Sequence, residues 1–584
     1  MVSSHIMTPS SAAENPTATW ADWLTLERAA YLGIALLALF VRFFNLGLHP
    51  LGDAEAHQAL TAWRLAQGDP LEGMVSAVSP LLLSLNHLLF LLTLGSDSLA
   101  RLWPALAGAA LTLLPYGLRQ EMGRRAALIS ALLLALSPTA VFFSRAVDGH
   151  SLALLGALLA LVALTRYLAG ANSWAAWAGI GIAIALSSAA GGITGVLALL
   201  LGLAWFARSQ VNDLPSRLRT LIQAAVAPAL SAFVLGATFL LTFWPGLGAA
   251  ADLFGQWLLH ITPAADAPPF WWPLLRLLLD EPVILFGALL GLGFWAANPA
   301  FRQGLTWPVK TAALWGGLAL LLALFGRQPA DGVVMAVPLA LLAGQAFDAL
   351  LTRVQEGPAW SEEWIVMASS LALIVTYRLY LASWGLDGQS QHLLAALIIL
   401  ALILVLFVLS GFWLGGRATL GVLALFVLIA VSIGQIGRLW ALNHDPLSRP
   451  ALLAYQTVTA PDARVLNATL VNRSAHRYGD ERRFQVDVVD GPTSDIVRWY
   501  VRQFQRVRLV TAATAGDDTD AVVGPRVDDP AAPASDFVGA PYIITQRWTP
   551  AGLSGAALFR WLLSNETRTP AQEQGVVLWV RATE

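Results

Sequence analysis

Hydrophobic residues fill most of this chain in blocks of about 17 to 22, the length that crosses a bilayer as a helix, separated by short polar stretches that often carry arginine. The blocks fall at 29–44, 79–95, 100–117, 126–143, 151–169, 175–190, 193–207 and 222–245, then at 279–297, 310–326, 332–351, 364–384, 392–415 and 418–437. Runs this long and this uniformly apolar predict membrane spans rather than the one-sided helices of a soluble core. Beyond Arg438 the pattern changes. Turn clusters such as Asp517-Asp518-Thr519-Asp520 and alternation such as Phe484-Gln485-Val486-Asp487-Val488-Val489 predict a soluble α/β domain. The expected organisation is a cytoplasmic tail at 1–25, a transmembrane domain at 26–440 and a soluble extracytoplasmic domain at 441–584. No small-residue cleavage site follows the first block, so that span is read as retained.

Orientation follows from the basic residues between blocks. If the first span runs outward and 79–95 does not cross, then Arg119, Arg124, Arg125, Arg166, Arg208, Arg217, Arg219, Arg302, Lys310, Arg353 and Arg417 all face the cytoplasm. Roughly eleven basic residues then lie inside against about four in the short outer loops, the bias expected of a membrane protein. The 79–95 run opens near Pro80 and carries Ser84, Asn86 and His87 in its middle, which suits a helix at the interface. That leaves about thirteen spans, in agreement with the block lengths. The first outer loop is 45–99, with interfacial helices, and the second is 144–151; a further interfacial helix is expected in 250–273, with Trp257 and His260.

Composition agrees and excludes other classes. Of 584 residues, 57% are hydrophobic and 12% charged, with net charge −2 and mean hydropathy +0.63; without a basic surface, nucleic acid is no partner. There is no cysteine, hence neither a disulfide framework nor a thiolate site.

Two short acidic segments interrupt the apolar pattern: Gly52-Asp53-Ala54-Glu55-Ala56-His57 and Ser144-Arg145-Ala146-Val147-Asp148-Gly149-His150. Carboxylates beside membrane spans are costly and commonly functional. Pro50 and Gly52 predict a turn, with Asp53 as cap of a short helix that has Glu55 and His57 in its first turn. Under the orientation above both segments emerge on one face, where two carboxylates suit general-base chemistry or a divalent cation.

The order of outer-loop acid, Ser79-Pro80-Leu81-Leu82-Leu83, Arg101-Leu102-Trp103-Pro104-Ala105-Leu106-Ala107-Gly108, Ser137-Pro138 and Ser144-Arg145 ahead of Asp148 resembles the GT-C superfamily of polyprenyl-phosphate-sugar-dependent glycosyltransferases. The relatives by pattern are protein O-mannosyltransferases, lipid A aminoarabinose transferases, and a bacterial and archaeal branch associated with flippase activity or dolichyl-phosphate-mannose mannosyltransfer. The resemblance is best over 30–170, and Pro268-Pro269-Phe270-Trp271-Trp272-Pro273 before Asp280-Glu281-Pro282 also resembles that branch.

The resemblance implies a GT-C fold in a bacterial cytoplasmic membrane, with a first-loop acid as the base that deprotonates an acceptor hydroxyl. The family pattern has adjacent Asp-Glu followed by Ala, whereas Ala54 separates the acids here, so either Asp53 or Glu55 occupies the catalytic position. Asp148 corresponds to the second-loop acid that helps build the site. The implied donor is a polyprenyl-phosphate sugar and the acceptor an extracytoplasmic protein, lipid or glycan, with membrane lipids around the chain and room for a membrane-protein partner. No cofactor is required; if Mg or Mn is used, Asp53, His57, Asp148 and His150 are the candidate ligands. A lipid phosphate needs cations near the outer interface. Arg145, Arg276, Arg327 and Arg378 are so placed, with His87 a weaker candidate; a Gly-Glu-Lys-type segment of the related branch falls near Gly326-Arg327-Gln328, which favours Arg327. Snorkelling accounts equally well for Arg276 and Arg378. A silent GT-C-fold scaffold and a lipid-linked-sugar flippase are the alternatives.

Overall fold

The computed structural model describes residues 25–69, 78–209, 214–259, 261–263, 267–355, 362–445, 449–527, 532–564 and 567–582. The tail at 1–24 and His260 lie outside the described residues. The principal helices are α1 (Leu26–Phe43), α2 (Asp53–Gln67), α3 (Pro80–Leu92), α4 (Leu102–Leu113), α5 (Arg124–Ala135), α6 (Pro138–Ser144) and α7 (His150–Leu168). They continue as α8 (Trp174–Ser188), α9 (Ala190–Ser209), α10 (Leu214–Ala237), α11 (Pro245–Leu259), α12 (Trp272–Asp280), α13 (Pro282–Ala297) and α14 (Trp307–Gly326). Last come α15 (Asp331–Gln355), α16 (Glu363–Asp387), α17 (Ser390–Trp413) and α18 (Gly416–His444), with α19 (Asp462–Tyr478) and α20 (Ser494–Val501) in the C-terminal domain.

Among the described residues, seven helices are long and apolar enough to cross a membrane, and two bent pairs, α5–α6 at 58° and α12–α13 at 107°, raise the number to nine. The other four expected spans are also helical. Of these, α1 carries Glu27, Arg28 and Arg42, while α4 and α8 have only 12 and 15 residues. Length and apolarity thus support nine of the thirteen, and the chain is a multi-pass membrane protein.

Helix α3 has 13 residues, about 20 Å at 1.5 Å per residue, well short of a hydrocarbon core of about 30 Å. Its ends are held by groups of the first loop and the C-terminal domain. Gln58 of α2 clamps Ser79, accepting from its backbone N–H at 2.7 Å and donating to its carbonyl at 3.2 Å. Past the other end, Arg502 donates to the Gly95 carbonyl at 2.9 Å. Both ends of α3 are thus tied to the first loop and the C-terminal domain.

Proline explains the two bends: Pro138 and Pro282 each open a new helix, and the residue before a proline is pushed out of helical geometry. The breaks meet. Fully buried Glu281 accepts on Oε1 from the Ser137 hydroxyl at 2.6 Å, the Thr139 N–H at 2.9 Å and the Thr139 hydroxyl at 2.6 Å. Next to it, Asp280 is held by Arg276 and Arg438, each at 2.7 Å. Both carboxylates thus take protein donors at the break, where burial in a membrane makes such partners necessary.

The C-terminal domain carries a six-stranded sheet in the order β1-β5-β6-β4-β2-β3. Its strands are β1 (Thr457–Thr459), β2 (Gln485–Val489), β3 (Arg506–Val510), β4 (Ala521–Pro525), β5 (Phe537–Arg547) and β6 (Gln572–Arg581). Strand β2 pairs in parallel with β3 and β4, and the remaining pairs are antiparallel; α20 forms the crossover from β2 to β3. The sheet domain is not an appendage. Its Leu466, Phe484, Val486, Ile496 and Trp499 form one continuous core with Leu51, Leu60, Leu82, Leu83 and Phe90 of the first loop, each buried side chain contributing about 1.5–3 kcal/mol. Asp97 of the loop accepts from Trp499 Nε1 at 2.8 Å, Tyr500 Oη at 3.0 Å and Arg464 at 2.5 Å. The first loop and the C-terminal domain therefore share one side of the membrane.

Candidate active site

Helix α2 begins differently from the sequence expectation. Gly52, extended at φ −68° and ψ 170°, is the cap, and Asp53 is the first helical residue. The capping is supplied by Glu55, whose Oε2 accepts from the Gly52 N–H at 2.8 Å, closing the turn from the third helical position. The same carboxylate receives Arg101 side-on, Nε to Oε1 at 3.0 Å and Nη2 to Oε2 at 2.9 Å. Arg101, only 2% exposed, also donates to the carbonyls of Leu46, His49 and Pro50, which fixes the chain entering α2. A bidentate guanidinium–carboxylate pair of this kind is strong and directional.

Glu55 Oε1 also accepts from the backbone N–H of Val147 at 2.7 Å. This bond joins the two acidic segments. Gly149 completes the approach: a Cβ there would stand 1.9 Å from the Ser188 carbonyl and 2.5 Å from Ser79 Oγ, so the second loop passes where only glycine fits.

The three acids of the converged segments have different surroundings. Glu55 is occupied by four donors. Asp148 accepts from His150, at 2.6 Å from its N–H and 2.5 Å from Nδ1; burial pushes its carboxyl up, but the charge and hydrogen bonds of His150 outweigh this and hold it below the usual value. Asp53 is exposed and its carboxylate has no hydrogen bond among the described residues. Desolvation first, then the nearby charge of Asp495, raise it above the usual carboxylate value, while His57 pulls the other way.

Asp495, on α20, lies about 440 residues away in sequence and carries no motif; its Oδ2 is 2.8 Å from His57 Nδ1, and Arg498 holds its other oxygen at 3.1 Å. The expected metal set does not gather. His57 is directed to Asp495 and His150 to Asp148, and among the described residues no three His, Asp or Glu side chains surround one point. The residues present do not fit a bound Mg or Mn.

The expected phosphate cations separate. Arg145 is buried, and its guanidinium donates to the carbonyls of Val41, Arg42, Phe44 and Asn45: it caps the C-terminal end of α1, where four carbonyls lack helical partners. His87 is buried edge-on against Phe239, ring centroids 4.1 Å apart, inside the packing of α3. Arg276, a phosphate candidate for which snorkelling served equally well, is half-buried and paired with Asp280. Arg327 differs. It closes α14 in the left-handed conformation, φ 53°, and donates from Nη1 to the Pro268 carbonyl at 2.7 Å and from Nε to Phe325 at 3.3 Å, with Nη2 left for a ligand among the described residues.

Two cavities adjoin the 326–331 turn. One, of about 520 Å³, is lined by Asp148, His150, Phe143, Gln256, Leu259 and Gln328. The other, of about 140 Å³, includes Arg327, Gln328, Arg276 and Glu281. Gln328 and Pro329 border both, so Asp148 and Arg327 look into neighbouring spaces across one turn. Sequence reasoning assigned no role to Glu281 or Asp495 and took Arg101 only as part of a motif; Arg101-Leu102-Trp103-Pro104, an arginine inside the start of the 100–117 apolar block, was the available signal.

No protein-family model matches the chain, and no curated protein matches it. Among solved structures, ArnT from Cupriavidus metallidurans in the apo state has a TM-score of 0.51 at 13% identity, over 84% of this chain and 87% of that one. ArnT from the same organism bound to undecaprenyl phosphate has a TM-score of 0.49 at 14% identity, over 85% and 93%. The Archaeoglobus fulgidus oligosaccharyltransferase complex with Zn and sulfate has a TM-score of 0.43 at 14% identity, over 85% and 68%. The likeness to the apo ArnT structure shows that this chain shares its fold.

Proposed function

We propose that this chain is a membrane glycosyltransferase that moves a sugar from a polyprenyl-phosphate carrier to an extracytoplasmic acceptor in a single inverting displacement. Asp53 is the base, Asp148 oriented with His150 shapes the site, and Arg327 holds the lipid phosphate. The observation that carries this reading is the convergence of two acidic segments through Glu55, which leaves Asp53 as their carboxylate without a hydrogen bond among the described residues. A base must have a free lone pair within reach of the acceptor, and Glu55 has none to offer. The GT-C architecture supports the reaction class, and the nine spans support a lipid-borne donor.

The roles of the two arginines separate in steady-state transfer assays with a radiolabelled polyprenyl-phosphate sugar. Arg327→Gln is expected to raise KM for the donor about ten- to a hundredfold, the loss of one charge-assisted hydrogen bond of about 1.5–3 kcal/mol. Arg145→Gln is expected to lower the melting temperature and leave donor KM unchanged. An unaltered donor KM in Arg327→Gln would remove Arg327 from the phosphate.

Sidedness is tested in this cysteine-free chain. Arg124→Cys and Asp518→Cys, at side chains 81% and 45% exposed, should react with a membrane-impermeant thiol reagent from opposite sides of sealed vesicles, Asp518→Cys from outside. Reaction of both from one side contradicts the proposed orientation.

A further inference from the structure

Helix α21 (Gly555–Ser564) of the C-terminal domain lies against α16. Its Trp561 is buried in the domain and donates from Nε1 to the Ala451 carbonyl at 3.2 Å. The neighbouring face of α21 meets the bundle. Phe559 packs edge-on against Trp384, ring centroids 6.3 Å apart, and Leu563 and Ser564 close a cavity of about 350 Å³ whose other walls come from α16 and α18, among them Leu379, Ala382 and Ile433. We propose that this cavity is a binding site for an anionic phospholipid, with an acyl chain along its apolar walls and the phosphate held by Arg378 and Arg560. The site is separate from the donor's: it shares no lining residue with the cavities beside Asp148 and Arg327.

The walls suit a lipid chain. Apart from Arg378 and Ser564 the lining is apolar, and Val375, Leu379 and Ile433 are 50%, 64% and 49% exposed, so the cavity opens on the surface that faces hydrocarbon. Its volume is more than twice the roughly 150 Å³ that takes a benzene ring, and an open wall lets the rest of the lipid lie outside.

The cations set the sign of the guest. Arg378 stands nine positions before the end of α16, about 14 Å along the helix axis at 1.5 Å per residue. It is exposed and has no hydrogen bond or ion pair among the described residues, a costly state at that depth unless an anion meets it. Arg560 lies four positions before Ser564 and thus on the same face of α21. Its Nε is buried with no hydrogen-bond partner among the described residues, and its guanidinium lies 5.4 Å from the ring of Trp384, one turn beyond Leu381 of the cavity wall. Gly388, left-handed at φ 70°, makes room for Arg560 and Arg568 to lie side by side: a Cβ there would stand 2.6 Å from Nη2 of the first and 3.2 Å from Nη2 of the second. The acid at this helix end, Asp387, is already engaged by His392 at 2.8 Å and by the Gln389 N–H at 2.8 Å. Three guanidiniums about one apolar cavity favour a lipid of net negative charge over a zwitterionic one, whose ammonium they repel. Bound there, the lipid ties the C-terminal domain to α16 and α18.

Native mass spectrometry of the full-length protein released from detergent tests the site, with phosphatidylglycerol, phosphatidylcholine and undecaprenyl phosphate as probes. An arginine at a membrane surface is worth about 1 kcal/mol toward an anionic lipid, about fivefold. Phosphatidylglycerol should therefore be retained about 20-fold more than phosphatidylcholine. Arg378→Gln and Arg560→Gln should each cut that preference about fivefold, and the double variant should abolish it. Arg302→Gln, which removes an exposed arginine elsewhere, should leave it unchanged. Ala382→Phe, at an exposed position of the wall, obstructs the cavity with every arginine in place and should lower retention of phosphatidylglycerol.

The site is overturned if the double variant, folded by its melting curve, keeps the preference, or if Ala382→Phe leaves retention unchanged. If undecaprenyl phosphate displaces phosphatidylglycerol one for one, the occupant is the polyprenyl lipid and the phospholipid assignment fails.

Discussion

Asp53→Asn should reduce sugar transfer by about 10²- to 10⁴-fold, the usual worth of a positioned general base, with donor binding retained. The structural reason is the contrast with its neighbours: Glu55 receives four donors and Asp148 is occupied by His150, whereas the Asp53 carboxylate has no hydrogen bond among the described residues. Stability should move the other way from activity. A carboxyl raised above its ordinary value by desolvation and by Asp495 binds its proton more readily folded than unfolded, so its ionised form works against folding at neutral pH. The melting temperature of Asp53→Asn should therefore equal or exceed that of the unaltered protein. The pH profile follows the same sign. Only ionised Asp53 accepts a proton, so activity is present above its raised pKa and is lost as pH falls through it, at higher pH than for an ordinary aspartate. Full turnover in Asp53→Asn, or an acid limb at the ordinary aspartate value, would assign the base elsewhere.

The second large effect is structural. Arg101→Met should destabilise the protein by about 3–5 kcal/mol, the cost of removing one partner from a buried ion pair. It strips Glu55 of its charge partner and leaves three carbonyls, those of Leu46, His49 and Pro50, without their donor. Because Glu55 also holds Val147, both acidic loops lose their alignment, and transfer and donor binding should fall together. Glu55→Gln should be milder in stability, since an amide oxygen still accepts one of the backbone bonds. Thermal unfolding of Arg101→Met, Glu55→Gln and the double variant checks this: coupling between the two sites is expected, and strictly additive effects would contradict the pair as described. If Glu55→Gln alone lost turnover with an unchanged melting curve, Glu55 rather than Asp53 would be the base.

The contrast between these two acids shows how much of the site was readable from sequence. Asp53, Glu55 and Asp148 stand out because a carboxylate among apolar blocks is conspicuous, and Arg327 because it ends a long apolar run. Their division of labour was not readable. Glu55 becomes an anchor only because Arg101, 46 positions on, and Val147, 92 positions on, arrive at the same carboxylate. Arg145 sits where a phosphate cation is expected, yet α1 ends with open carbonyls that take its guanidinium. The expected four-residue metal set fails for a similar reason, since Asp495, in a domain with no catalytic signature, lies within hydrogen-bond reach of His57.

At the scale of the fold, the sequence by itself determined a multi-pass bundle followed by a sheet domain. Both depend on local composition and length: long apolar blocks partition into lipid wherever they occur, and a charged, turn-rich stretch does not. Only the tertiary structure decided that the sheet domain and the first loop share one core, that two proline breaks meet on Glu281, and which acid is left free of hydrogen bonds. Those outcomes depend on donors and acceptors brought together from distant parts of the chain, and a hydrogen bond acts over about 3 Å of space with no trace in the spacing of the residues that form it.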